Sequence, residues 1–145
     1  MIQRGRKWDN ICSSTSKRWV KDKKENIKMK KIILICMEKQ LWNERKNKKL
    51  WGKRNLEADG FIHSTAIGFF DQVAPYFKEI KDELVILCID ENKLTSEIRY
   101  EREDMEVKAY PHIYGLVNND AVISVVPFRR DDNGDYIHNP EFDYM

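Results

Sequence analysis

Two short segments place imidazoles in settings suited to ligand chemistry: Gly60-Phe61-Ile62-His63-Ser64-Thr65 and Pro111-His112-Ile113-Tyr114-Gly115. The first reads as a strand that ends at His63, with Ser64 or Thr65 capping a following helix. A helix N-terminus presents free N–H groups and partial positive charge, so this junction predicts a cradle for phosphate or carboxylate. His63 would then donate to the anion or orient a sugar hydroxyl. The alternative is a half-buried histidine bonded to a backbone carbonyl.

The second segment, with proline at its entry and glycine at its exit, reads as a shaped loop. It brings His112 together with the phenols of Tyr110 and Tyr114, an aromatic and hydrogen-bonding wall for a ring-bearing ligand. A packed loop with satisfied polar tips is the competing reading. His138, in the polar C-terminal stretch, is expected at the surface, and the three histidines lack any metal-ligand spacing, so no metal is expected. Phosphate-loop, dinucleotide and nucleophile-elbow signatures are absent, and Ser64 lacks the glycines such an elbow uses.

The elements that must position these residues follow from periodicity. Ile32–Met37 and Leu84–Ile89 are continuous apolar runs suited to buried strands, the second central because it is apolar on both faces. Glu38–Leu50 reads as a polar helix with Leu41 and Trp42 inward. Its basic cluster (Arg45, Lys46, Lys48, Lys49, Lys53, Arg54) is expected to be a solvated helix end, where cations favour the dipole, although it could contact phosphate. Ile67, Phe70, Val73 or Ala74, and Phe77 recur at helical spacing, a helix kinked or ended near Pro75. Ile98–Glu101 and Ala121–Pro127 are further strands, and Asn133-Gly134 marks a hairpin turn. About six strands with two helices near the front predict a mixed α+β layer structure.

The chain has 145 residues, 41% hydrophobic and 34% charged, which suits one domain with a real core. Its net charge of +2 hides an asymmetry: residues 1–31 hold 11 basic and 3 acidic groups, the remainder 15 basic and 21 acidic. Residues 1–28 show no periodic apolar pattern and are expected to be a disordered basic tail, with the domain at 29–145 and Met29 a candidate start. Cys12, Cys36 and Cys88 form no framework or CxxC pair and read as reduced thiols. No apolar run approaches membrane-spanning length, so a soluble, cytoplasmic chain without a membrane partner is expected. The tail and the basic helix end permit a nucleic-acid partner, which nothing else in the sequence favours.

The ordered series Trp42, Glu57-Ala58-Asp59-Gly60-Phe61-Ile62-His63-Ser64-Thr65, Leu84–Asp90, Ile98-Arg99-Tyr100-Glu101, Pro111-His112-Ile113-Tyr114-Gly115 and Asp120-Ala121-Val122 resembles the family catalogued as domain of unknown function 952, from about Lys31 to Phe128. That family is similar in fold to the ADP-ribosyltransferases, so the resemblance implies a split antiparallel sheet gripping an NAD-like or other nucleotide-like small molecule. The glutathione S-transferase-like label that some members carry finds no physical support in these residues. The resemblance implies that His63 with Ser64 holds the ribose side, that Tyr114 and His112 border the nicotinamide side, and that Asp120 is the acidic partner, with His63, His112 and Asp120 as the catalytic set and Thr65 and Gly115 as further ligand-binding residues. The stretch matching the dinucleotide-contacting first strand is Leu34-Ile35-Cys36, which carries no strong donor. No catalytic glutamate stands out in the late strand. The implied activities are an ADP-ribosyltransferase or NAD glycohydrolase, with a non-catalytic ligand-binding module and a basic RNA-associated protein as alternatives.

Overall fold

Strand β5, Leu84–Asp90, is buried at every position because it has a strand on each side and packing on both faces. The structure is a computed structural model that describes residues 31–102 and 109–145; the expected tail at 1–28 lies outside them. In chain order the elements are β1 (Ile32–Glu38), α1 (Lys39–Arg45), β2 (Leu50–Trp51), α2 (Lys53–Asp59), β3 (Ile62–His63), β4 (Thr65–Ala66), α3 (Phe70–Val73) and β5. Then come β6 (Glu97–Glu101), β7 (Tyr110–Tyr114), β8 (Val117–Asn118) and β9 (Val122–Pro127). Short 3₁₀ turns flank α3 and close the chain at Pro140–Tyr144.

The central sheet runs β4-β1-β5-β9, antiparallel throughout. Its register pairs Ile33 with Ile89 and Ile35 with Leu87, so alternate side chains segregate to opposite faces. One face (Ile33, Ile35, Val85, Leu87, Ile89) packs against Trp51, Ile62, Ile113 and Val117. The other (Ile32, Leu34, Leu84, Ile86, Cys88) packs against Phe70, Ala74, Phe128 and Phe142. Each such side chain contributes about 1.5–3 kcal/mol on burial, so an apolar run with both faces covered is the dominant stabilising element. A three-stranded antiparallel sheet, β3-β7-β6, turns Ile62, Ile98 and Ile113 toward the first of these cores. The mixed α+β architecture, the antiparallel sheets and the helices in the N-terminal half match the sequence reading.

Four local expectations are corrected. The helix expected over Glu38–Leu50 stops at Arg45, because Leu50–Trp51 pairs with β8. A second helix, α2, follows unannounced and ends at Gly60, which sits at φ +84° and donates its N–H to the Leu56 carbonyl. Neither Ser64 nor Thr65 caps a helix: Thr65 pairs with Leu34 of β1, and the helical segment begins only at Ile67. No helix-terminal anion cradle therefore forms beside His63. Finally, Tyr110–Tyr114 is a strand rather than a loop. The expected Asn133-Gly134 hairpin forms a turn closed by a single bridge, Arg130 to Tyr136.

Candidate functional site

The register of the three-stranded sheet sets the candidate site. His63 of β3 pairs with His112 of β7, and His112 pairs with Arg99 of β6. Side chains of paired residues share a face, and strands lie about 4.8 Å apart. His63, His112 and Arg99 therefore form one row about 10 Å long on the face away from Ile62, Ile98 and Ile113. By the same alternation Phe61, Tyr114, Glu97, Tyr110 and Glu101 occupy that outer face.

Glu101 is the focus of the cluster. Its Oε1 lies 2.7 Å from His112 Nδ1 and accepts a hydrogen bond from the Tyr114 hydroxyl at 2.6 Å. Among the described residues no hydrogen bond reaches its Oε2. Burial raises the Glu101 carboxyl, but hydrogen bonds from Tyr114 and His112, with nearby positive charge, outweigh it and hold the group below the ordinary carboxylate value. The Tyr114 phenol is raised in turn, chiefly because it donates to that carboxylate. With Nδ1 as the donor, the lone pair of a neutral His112 resides on Nε2. The Arg99 guanidinium covers the Tyr114 ring at 4.2 Å while its Nε donates to Glu97 at 2.9 Å.

Exposure divides the cluster into two tiers. The His112 side chain is 3% exposed, whereas those of Glu101 and His63 are 37% and 57% exposed. Phe61 covers His112 in a near-parallel stack, with centroids 4.0 Å apart and planes at 16°. The His63 ring stands edge-on to His112 at 5.4 Å, and its Nε2 lies 3.5 Å from Asp59 at the end of α2. His63 and Glu101 thus meet solvent, while His112 lies beneath and fixes Glu101.

The remaining residues implied by the sequence are placed differently. Ser64 is buried and donates to the Pro111 carbonyl at 2.7 Å. Within an antiparallel strand the N and O of one residue face the same neighbour. Pro111, which has no N–H, therefore faces the side where β3 pairing has ended at His63, and the Ser64 hydroxyl completes the ladder there. Thr65 is buried on β4. A Cβ on Gly115 would lie 2.4 Å from Ser96 Oγ, so glycine is needed there for space and not for a positive φ. Asp120 is exposed in the Asn119–Ala121 turn and accepts from the Asn118 amide at 2.5 Å, in a cluster with Lys93 and Thr95. The structure brings His63, His112 and Tyr114 together, and groups Asp120 with Asn118.

Sequence reasoning passed over Glu101, Arg99 and Phe61. A usable signal existed: Glu97, Arg99 and Glu101 alternate with Ile98 and Tyr100, the period of a strand with one apolar face. Among the described residues no group of three or more His, Cys, Asp or Glu is placed to hold a metal ion, and no helix is long and apolar enough to cross a membrane.

The layered antiparallel α+β fold is found among solved structures. The crystal structure of protein CC0527 from Caulobacter crescentus is similar, with a TM-score of 0.66 and 21% identity over 77% of this chain and 98% of that one. Its solution NMR structure gives a TM-score of 0.61 and 22% identity over 79% and 96%. At this identity the likeness shows the fold. The model of the family described as protein of unknown function (DUF952) matches residues 35–125, more than half of the chain, and the chain belongs to that family. No curated protein matches.

Proposed function

We propose that the outer face of β3-β7-β6 binds a nucleotide-like small molecule of the NAD type, and that Glu101 and His63 are the groups that meet it. The observation that carries this reading is the delivery of two hydrogen bonds, from His112 and Tyr114, to one oxygen of a partly exposed carboxylate. This arrangement favours the charged form of Glu101, whose Oε2 carries no hydrogen bond among the described residues. Preorganised charge of this kind stabilises a positive centre that develops during reaction.

In a transfer from NAD, the bond between the ribose anomeric carbon and nicotinamide breaks, and its electron pair leaves with nicotinamide. Glu101 Oε2 would accept a ribose hydroxyl and offset the positive charge on the anomeric carbon. Water or another nucleophile would bond to that carbon, its proton passing to His63. Phe61 and Tyr114 supply ring faces for the base or nicotinamide. A second reading, binding without turnover, is favoured by the first strand: Leu34 lies in the core on the far side of the central sheet and cannot reach this face.

A thermal-shift series against NAD, ADP-ribose, nucleotides and glutathione tests the proposal, because a ligand of the folded state raises Tm by mass action. NAD or ADP-ribose should raise the Tm of the native chain and leave that of Glu101→Gln unmoved. If neither compound shifts the native chain at millimolar concentration, the reading fails.

A further inference from the structure

Residues 45–54 hold Arg45, Lys46, Lys48, Lys49, Lys53 and Arg54 and no acidic residue. The end of a helix explains little of this cluster. Helix α1 stops at Arg45, and a helix dipole acts only within its last turn, so Lys48, Lys49, Lys53 and Arg54 lie beyond its reach. Arg45 is committed elsewhere: it stacks 4.8 Å over the Trp51 ring and donates to Asn55 at 3.1 Å. The other five are exposed, and among the described residues none has an ion pair. By contrast Lys31, Lys39 and Lys78 each have a carboxylate partner.

The loop that carries Lys46, Lys48 and Lys49 is pinned, and Lys53 and Arg54 open helix α2. Asn119 donates through Nδ2 to the carbonyls of Arg45 at 2.8 Å and Lys48 at 2.6 Å, and its backbone N–H reaches Lys49 O at 3.1 Å. Trp51 Nε1 donates back to Asn119 Oδ1 at 2.7 Å. Five unpaired like charges held on a fixed scaffold repel one another, a cost that a polyanion relieves. A lipid surface would call for inserted apolar side chains beside the charges. Here Leu50 is 47% exposed, but Trp51 is turned inward and 4% exposed. Five cations beside a single exposed apolar side chain favour a strand of phosphates over a lipid surface.

We infer that the Lys46–Arg54 surface docks the phosphate backbone of a nucleic acid, reading charge and not sequence. This inference is independent of the proposed NAD-type site. The test is binding of the full chain to a single-stranded oligonucleotide between 50 and 200 mM salt, where each phosphate contact contributes about 0.7 to the slope of log K against log salt. Replacing Lys46, Lys48, Lys49 and Lys53 by Gln leaves the N-terminal cations intact, so the loss in slope reports the Lys46–Arg54 surface alone. It should fall by about 2–3, and the four-Arg counterpart should retain it. As a check on native protein, the oligonucleotide should protect these four lysines from acetylation, while the exposed Lys81 and Lys93 stay reactive. An unchanged slope, absent protection, or binding to anionic phosphatidylserine vesicles but not to the oligonucleotide overturns the inference.

Discussion

His112 Nδ1 and Glu101 Oε1 lie 2.7 Å apart, although Glu101 pairs across the sheet with Tyr110 and His112 with Arg99. The contact runs diagonally, and it draws the carboxylate over the buried imidazole. The two residues therefore have unequal roles: one is a fixed support, the other the group that solvent meets.

This inequality predicts different responses to the same substitution. His112→Gln removes a buried ring under Phe61 and a charge-assisted bond, and should cost about 1–3 kcal/mol in urea unfolding. His63→Gln, at an exposed position, should stay within about 0.5 kcal/mol of the native chain. Equal effects at both positions would contradict the two-tier arrangement.

Glu101→Gln separates ligand binding from folding. Its amide oxygen still accepts from Tyr114 and His112, so the free protein should lose only the charge-assisted part of those bonds and remain folded, while the shift produced by NAD or ADP-ribose disappears. Native chain incubated with NAD for hours should release nicotinamide slowly, because no donor from β1 reaches the outer face. Fast release that survives in Glu101→Gln would remove Glu101 from the reaction.

Stability should depend on pH through His138, whose Nδ1 and Nε2 lie 2.9 Å from Asp71 and Asp143 respectively. Hydrogen bonds to Asp71 and then Asp143 raise its pKa above the ordinary 6.5. A raised folded value means that the stabilisation is complete below the unfolded value and is lost as pH rises through the folded one. Glu101, held low, acts in the opposite sense: its contribution is present above the ordinary carboxylate value and is lost as pH falls through its folded value. Urea midpoints from pH 5 to 9 should decline on the alkaline side in the native chain, and His138→Ala should flatten that decline.

Thiol reactivity offers a further check on the core. Burial pushes Cys36 and Cys88 up to about 12, so neither holds appreciable thiolate at neutral pH. Iodoacetamide at pH 7.5 should modify the buried Cys88 only as fast as the protein opens, and the partly exposed Cys36 slowly for want of thiolate, as peptide mapping would show. Rapid labelling of Cys88 in folded protein would contradict its place in β5.

Much of the fold was legible because burial on both faces leaves a direct trace in β1 and β5: unbroken apolar runs. The short elements were not, because two-residue strands such as Leu50–Trp51 and Thr65–Ala66 exist only through their partners, β8 and β1. Pro111-His112-Ile113 looked like a loop because proline costs a ladder bond in a strand. Nothing local reveals that the Ser64 hydroxyl would meet the carbonyl facing that gap. The histidines were found by their rarity. Glu101 was missed because 24 acidic residues make any one of them inconspicuous until the register selects it.

The ladder that joins β3 to β7 has two registered pairs, whereas that between β6 and β7 has five. Glu101, His112 and Tyr114 thus belong to one local hairpin, and His63 arrives from a segment nearly fifty positions earlier in the chain. Contacts of long sequence separation form late and open first when few bonds secure them. The half of the site built on β6 and β7 should therefore assemble as an early folding unit, with Phe61 and His63 docking afterwards. In native-state hydrogen exchange, the amides of Ile62 and His63 should open at lower free energy than those of Ile86 and Leu87, uncovering His112 without unfolding the central sheet.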